Sequence, residues 1–473
     1  MTRNQPQSIL PSLDLRGTAL WQAVAVGGFL LLAVTLGGWS VAGGTANAVL
    51  QVASVIAIAA TFARSKPTPR AGGERQLLLL VGLFGALFVL QLIPLPPVLW
   101  SSLPGRRLVV EGLAALGLPL PWMPLSLAPE KTVQSGLSLL PPLAMIVMIG
   151  AFRRPVARAA VLSLIALMIL SVLLGVAQVA GNEHLYFYSF TNGGSAVGFF
   201  ANSNHFATLM CLTLPLAAGL VARWRGEADG AGGVSRIFAA AVLLAVVLLG
   251  LLGVTMTKSV AGVGLALLSL AGSAAIVLSG LPRSLRLGFV GGVVLVVLIA
   301  MVVAINSGIG DLTTTDLGGG DLSRMSMWHL AIKAIGDFGT VGSGFGSFPQ
   351  VFHLFENPER VISVFANHAH NDLLEFVLES GLPGTVLLLA FLVWFVLRIG
   401  SVWLIDRQRD PLAQGASVAA LIVLLHSLAD YPLRTGAIAA VFGLCLALLA
   451  RDPAGRSSDE NQAATQPGRH LSA

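Results

Sequence analysis

Charge is scarce in this 473-residue chain: Asp, Glu, Lys and Arg together make up 11% of it, against about 25% in a typical soluble domain. That shortfall argues against a water-soluble domain, and a hydrophobic share of 55% with a mean hydropathy of +0.83 argues the same way. Cysteine is nearly absent. Cys211 and Cys445 both sit inside apolar runs, so they read as small buried hydrophobes and not as a disulfide framework. Missing too are the alternating segments of about ten residues that mark membrane-barrel strands. What the chain has instead is a series of apolar runs, and about 20 such residues in succession are enough for a helix to cross a bilayer. The sequence therefore describes an all-α, polytopic membrane protein.

Twelve spans are predicted, over approximately 18–39, 43–62, 77–95, 133–152, 157–179, 204–222, 236–256, 259–280, 286–306, 372–397, 412–429 and 434–450. The 40–42 connection is short, the chain turns tightly at Lys258, and the tenth span has a second apolar stretch, Ser401 to Ile405, through which to continue. The first run, Thr18 to Trp39, exceeds the hydrophobic core of about 7–15 residues in a secretory signal. It is therefore expected to remain as a span and not to be cleaved at Ala46-Asn47-Ala48. The expected organisation is a short tail at 1–17, a transmembrane domain over 18–450 and a disordered polar tail at 451–473.

The net charge of +6 invites a nucleic-acid reading, but its distribution explains it better. With the N-terminus placed in the cytoplasm, twenty of the 28 Lys and Arg residues fall inside. The eight outside are Arg106, Arg107, Lys131, Lys258, Arg324, Lys333, Arg360 and Arg434. The positive-inside bias puts both termini in the cytoplasm, and nucleic acid drops out as a partner. The histidines show the opposite bias: seven of eight lie on or near the outer face, and only His470 lies in the tail. Chemistry is expected on the outer face.

The longest polar segment, 307–371, joins spans nine and ten, and loops of that length tend to be functional. Within it "DLSRMSMWHLAIKAIGDF" reads as a helix with Met325, Trp328, Ile332 and Ile335 on one apolar stripe and Asp321 or Ser323 as its cap. Arg324 falls in the first turn, where the helix dipole disfavours a cation. Its compensation is either a salt bridge to Asp321 or a phosphate presented to the planar guanidinium fork. "GTVGSGFGSF" follows, with glycines at 339, 342, 344 and 346. No strand precedes it, so it is no nucleotide fingerprint; it reads as a tight turn bringing backbone close to substrate or to a neighbouring helix.

Next comes "HAHNDLLEFVLESGLPG", residues 368–384. One reading is a polar helix entrance, with Asn371 or Asp372 as the cap and solvated histidines. A second is a metal site, but a metal needs three or four ligands and no cluster of familiar spacing accompanies this pair. A third is acid–base chemistry, for which histidine is suited near neutral pH. Glu375 and Glu379 stand one turn apart on the tenth span, and ionisable groups within a span are functional suspects. Glu375 is close enough in sequence to orient a ring just before it.

His370-Asn371, nine residues and then Gly381-Leu382-Pro383-Gly384 resembles the His-Asn-x9-Gly-x-x-Gly signature of the O-antigen ligase and O-antigen polymerase superfamily. Arg324-Met-Ser-Met-Trp328 resembles that family's Arg-x3-Leu element, with Trp in place of Leu. Gly198 to Ala207, "GFFANSNHFA", resembles its Gly-Phe-x-x-Asn-x-Asn stretch, and Asp430 to Arg434, "DYPLR", is similar to a late outer-face segment of some members. The resemblance covers roughly 190–450 and the twelve-span plan.

The resemblance implies a GT-C-type bundle with a large periplasmic loop between spans nine and ten, in the bacterial inner membrane. It implies a metal-independent, inverting glycosyltransferase with no cofactor. The donor would be a glycan on undecaprenyl pyrophosphate; the acceptor would be lipid A-core for a ligase, or a growing surface or exopolysaccharide chain for a polymerase. The family's catalytic histidine matches His370 and its loop arginine matches Arg324. Its usual Ser-Arg pair after span seven reads Ser259-Val260 here, which leaves Lys258, with Arg434, to share the pyrophosphate charge. Asn202, Asn204 and His205 are placed either on sugar and pyrophosphate or as interhelical hydrogen-bond glue, and His368, Asn371 and Glu375 complete the candidate site. Membrane lipids are the remaining expected partner. The other class is a secondary transporter or lipid-linked glycan flippase. Against it, the motifs crowd one face of the second half, without the repeated halves of many transporters.

Overall fold

Apolar runs in a bilayer become helices because only a helix, or a closed barrel, satisfies its own backbone groups away from water. The computed structural model describes residues 17–40, 44–65, 71–152, 154–228, 236–278, 288, 291, 324–356, 366–405 and 409–451. The first helices in chain order are α1 (Thr18–Leu36), α2 (Thr45–Arg64), α3 (Gly72–Leu92), α4 (Pro97–Trp100), α5 (Arg107–Ala115), α6 (Pro129–Leu137), α7 (Leu140–Ala151) and α8 (Arg154–Val179). There follow α9 (Ser203–Ala228), α10 (Arg236–Met256), α11 (Val260–Val277), α12 (Arg324–Phe338), α13 (Phe348–Phe352), α14 (Asp372–Leu404), α15 (Pro411–His426) and α16 (Gly436–Ala450). Two short strands, β1 (Pro94–Leu95) and β2 (Met123–Pro124), pair antiparallel with Pro94 opposite Pro124.

Among the described residues nine segments are long and apolar enough to cross a membrane, α6 and α7 counting as one, and α15 and α16 are shorter apolar helices. The chain is a multi-pass, mostly helical membrane protein. Helices occur in eleven of the twelve predicted spans. The ninth, 286–306, lies outside the described residues except for positions 288 and 291, as do residues 1–16, 307–323, 357–365 and 452–473. The predicted cap residues Asp321 and Ser323 fall in that group.

Several boundaries differ from the sequence reading for local reasons. The fourth span is two helices, interrupted at Ser138 and Leu139 just ahead of Pro141 and Pro142. The tenth runs on to Leu404. The eleventh stops at His426 and not at 429, which leaves 427–431 irregular and frees Asp430 to face the site. Helix α9 is the hub: 94% of its spanning window is buried, and it packs against α8, α10, α11 and α15. Close approach to α15 depends on small residues, as where Gly415 lies against the Pro215 backbone.

Helix α12 forms where expected, but its buried face is Met327, Ala331, Ala334 and Phe338, while Met325 and Ile332 of the predicted stripe are exposed. Small alanines let α12 seat closely on α14, and close packing chose the face over bulk hydrophobicity.

Helix α14 is broken at Gly381 (φ 62°, ψ −157°), a conformation open essentially to glycine alone. The glycine turn after α12 fills the break. Ser343 N–H donates to the Leu378 carbonyl at 3.0 Å, Gly344 N–H to the Glu379 carbonyl at 3.0 Å, and Leu382 N–H to the Thr340 carbonyl at 3.2 Å. A Cβ on Gly381 would meet the Gly342 nitrogen at 2.5 Å. The Gly-rich stretch thus brings backbone to a neighbouring helix, and the first turns of α14 become a separate platform for the polar groups before the break.

Candidate active site

The platform begins with a strained residue. His370 has φ 50°, and with Lys258 (φ 58°) it is one of two non-glycine residues at positive φ among those described. Asn371 follows as the cap of α14, its side chain accepting from Leu374 N–H at 3.0 Å and donating to the Leu428 carbonyl at 3.0 Å. That second bond ties the helix start to the segment after α15.

Asp430 is the centre of the site. It is fully buried. His370 Nδ1 lies 3.3 Å from its Oδ1, at ion-pair distance but off the line of a well-aligned hydrogen bond. Asn204 Nδ2 donates to Oδ2 at 2.6 Å, Arg324 Nη2 stands 4.0 Å from Oδ2, and His426 Nε2 is 3.8 Å from it. Burial pushes the Asp430 carboxyl up, but the facing His370, then the charges of His205 and Arg324, outweigh it and hold the group well below the usual carboxylate range. Asp430 is therefore a carboxylate. His370 and Arg324 are each 26% exposed at the side chain, so both reach the surface while anchored on a buried anion.

A second cluster lies beside the first. His368 Nδ1 is 2.9 Å from Glu375 Oε1, and Ala369 N–H donates to Glu375 Oε2 at 3.0 Å. Glu375 therefore orients His368, whereas His370 is oriented by Asp430. Arg434 is enclosed by three carboxylates: Asp372 Oδ1 at 3.2 Å, Glu375 Oε1 at 3.2 Å and Glu379 Oε2 at 3.3 Å. Burial lowers the Arg434 guanidinium, but Glu375, Glu379 and Asp372 raise it further, to above its usual value. Glu379 also accepts from Phe348 N–H at 3.1 Å, joining the cluster to α13.

Tyr431 bridges the two clusters. Its ring centroid is 4.5 Å from that of His368, 4.8 Å from His370 and 5.2 Å from His205. Burial keeps its phenol neutral, and Asn202 hydrogen-bonds to it. Asn202 Oδ1 also accepts from Asn204 N–H at 2.8 Å. His205 is buried, and its Nε2 has no hydrogen-bond partner among the described residues. Trp328, where the motif resemblance has Leu, donates from Nε1 to the Ala369 carbonyl at 3.1 Å and so ties α12 to the histidine pair.

Nine of the ten predicted site residues thus meet around Asp430, Tyr431 and Arg434. Lys258 stands apart: its Nζ donates to the Gly194 carbonyl at 3.2 Å, and none of its described contacts reaches the cluster. Ser259 next to it caps α11 through Gly262 N–H at 2.9 Å. The sequence reading left Asp430, Tyr431, His426 and Asp372 out of the candidate site, and it marked Glu379 as a functional suspect without placing it there. For the acids a signal existed, because Asp372, Glu375 and Glu379 follow one another at i, i+3 and i+7, a single helix face that requires a cation.

No curated protein matches the chain. Residues 245–389 match the sequence model of the O-antigen ligase family. That segment carries Lys258, Arg324, His368, His370, Asn371 and Glu375, while Asn202, Asn204, His205, Asp430 and Arg434 lie outside it. The matched segment is about a third of the chain, and it supports a place in the O-antigen ligase and polymerase superfamily.

Proposed function

We propose that the protein is a metal-independent, inverting membrane glycosyltransferase. It moves a glycan from undecaprenyl pyrophosphate to a sugar hydroxyl on the periplasmic face of the bacterial inner membrane, with both termini cytoplasmic. The observation that carries this reading is the convergence of His370, Asp430 and Arg324, with separations of 3.3 and 4.0 Å to the buried carboxylate.

The chemistry follows from what each group can do. A sugar hydroxyl is a poor nucleophile, so a base in hydrogen-bond reach accelerates its attack. His370 turns Nδ1 toward Asp430, which leaves Nε2 to accept the hydroxyl proton. The acceptor oxygen bonds to the anomeric carbon as the bond from that carbon to the pyrophosphate oxygen breaks, and undecaprenyl pyrophosphate leaves with the electron pair. Attack opposite the leaving group inverts the anomeric centre. Asp430 stabilises the imidazolium until solvent takes the proton. Pyrophosphate needs charge stabilisation and no proton, and Arg324, half-free at the surface, supplies it.

Asn204 holds Asp430. Asn202 and His205 set Tyr431 under the substrate. His368 and Glu375 form a flanking wall for sugar, and Asn371 fixes the turn that aims His370. Arg434 is already matched by three carboxylates, so its part is positioning. Lys258 is the second cation toward the donor. The acceptor is lipid A-core or a growing surface or exopolysaccharide chain.

The test is purified protein, with and without His370→Ala, given an undecaprenyl-pyrophosphate repeat unit in the presence or absence of lipid A-core. A product ladder from donor alone, lost in the variant, identifies a polymerase. Product only with lipid A-core, lost in the variant, identifies a ligase. No donor consumption by folded protein in any lane would sink the transferase reading in favour of a transporter or flippase.

A further inference from the structure

Residues 93–125, between α3 and α6, carry a surface that the proposed reaction does not use. Val98, Leu99, Leu108, Leu116, Leu118 and Trp122 are all exposed, Leu116 by 73% and Trp122 by 66%. The segment holds three charged groups. Arg107 and Glu111 pair with each other at 2.6 Å along one edge of α5, and Arg106 is turned inward and 1% exposed. An exposed apolar patch of this kind marks an interaction site.

The patch is rigidly built. Trp100 Nε1 donates to the Pro121 carbonyl at 2.8 Å, β1 pairs with β2, and the Arg106 guanidinium donates to the Leu125 carbonyl and, at 3.3 Å, to the Gly342 carbonyl. Each of its ends joins a helix long and apolar enough to cross a membrane. Helix α3 delivers the chain at Leu92 after the exposed Val89 and Leu90, and the next span departs from Pro129. Helix α3, with Leu79, Leu83, Val89 and Leu90 exposed, thus runs directly into the segment that carries the apolar patch. Helix α5 has the form of an interfacial helix, with one charged edge and one apolar edge, and an exposed Trp is the residue favoured at the headgroup level.

We infer that the 93–125 hairpin is an interfacial foot seated in the leaflet at the His370 end of the bundle, and that its partner is the acyl and glycerol region of membrane lipid. The foot is wired to the site. Leu127 N–H donates to the Ser343 carbonyl at 2.8 Å, and Arg106 reaches Gly342, which abuts the Gly381 break in α14. On the proposed function, on which this consequence alone rests, lipid seating sets the height of His370 against a pyrophosphate lying among the headgroups.

The test is a nitroxide label at Leu116→Cys and, separately, at Trp122→Cys, in vesicles of phosphatidylethanolamine and phosphatidylglycerol. Cys211 and Cys445 are buried and stay unlabelled. Collisions with oxygen should exceed those with a water-soluble nickel chelate, as for a label at the lipid-facing Leu83→Cys on α3. A dominant nickel signal means the hairpin stands in water, and low access to both means protein covers it; either result overturns the foot. For the wired consequence, Leu116→Glu with Leu118→Glu should lower transfer several-fold at unchanged melting temperature. Full transfer by that variant, with labels reporting lipid, leaves the foot but removes its hold on the site. If unaltered protein transfers nothing, the proposed function fails while the labels still decide the foot.

Discussion

Two arginines lie in adjacent clusters of the same site, and their surroundings differ. Arg434 touches three carboxylates at 3.2–3.3 Å. Among the described residues Arg324 faces one, at 4.0 Å, and that one is shared with His370, Asn204 and His426. A guanidinium whose donors are spent on carboxylates has little to offer a phosphate, whereas one held by a single distant anion keeps most of its fork free. The histidines follow the same division: His368 is locked on Glu375 at 2.9 Å, and His370 is loosely held by Asp430. On the proposed function, tight satisfaction marks the scaffold, and the loosely held, partly exposed pair of Arg324 and His370 is where the donor would sit.

The comparison breaks most sharply on removal of each cation. Arg434→Ala leaves three buried carboxylates facing one another, and uncompensated buried charge costs about 3–5 kcal/mol. The expected outcome is a large fall in melting temperature or loss of folded protein in detergent. Arg324→Ala should melt near the unaltered protein yet lose about 10²–10³-fold in transfer rate, the scale for removing one transition-state donor. If Arg324→Ala unfolds while Arg434→Ala folds and fails to transfer, the roles are reversed. Asp430→Asn removes the charge behind His370 while keeping its shape. Transfer should fall by about 10²-fold, within the range of a positioned acid–base group, as read in a single-turnover assay with saturating donor.

Much of this was legible in the sequence. Apolar runs gave the helices, and the His-Asn-x9-Gly-x-x-Gly spacing pointed to His370, but the tenth span read as unbroken and its break at Gly381 appears only in the structure. Asp430 was not legible as the partner of His370. It lies sixty positions further on in "DYPLR", and the pairing exists only because α15 ends at His426. Arg434 read as an outer-face cation because charge counting along a chain does not see a carboxylate row on another helix. The stripe on α12 was misplaced for a different reason: hydrophobic periodicity ranks Ile332 above Ala331, while close packing on α14 selects the alanine.

The break in α14 offers a smaller effect that keeps both clusters chemically intact. Gly381→Ala imposes a side chain on a backbone region costing about 1–3 kcal/mol and pushes against the Gly342 backbone. Thermal melting should fall accordingly. Transfer should fall with it, because Glu379, two residues before the break, holds Arg434 through its carboxylate and the glycine turn through its carbonyl. Unchanged melting would mean that the loop does not hold the platform.

Lys258 is the least tightly placed of the candidate residues and gives the finest test. Its backbone is at φ 58° and its ammonium rests on the Gly194 carbonyl at 3.2 Å, an exposed contact that contributes little stability. As the second phosphate cation it would need to swing from that carbonyl to the donor. Lys258→Ala should then leave melting unchanged, raise the donor KM several-fold and leave kcat nearly intact, because a long flexible ammonium binds the pyrophosphate as a point charge in both ground and transition states. Lys258→Gly isolates the backbone: it relieves the positive φ, so recovered stability with the same KM defect separates charge from strain. If both variants keep the original KM, Lys258 is only a turn residue. The pyrophosphate would then rest on Arg324 alone among the cations of this site, and the loose cluster around Asp430 would have to neutralise the donor without help from the α10–α11 turn.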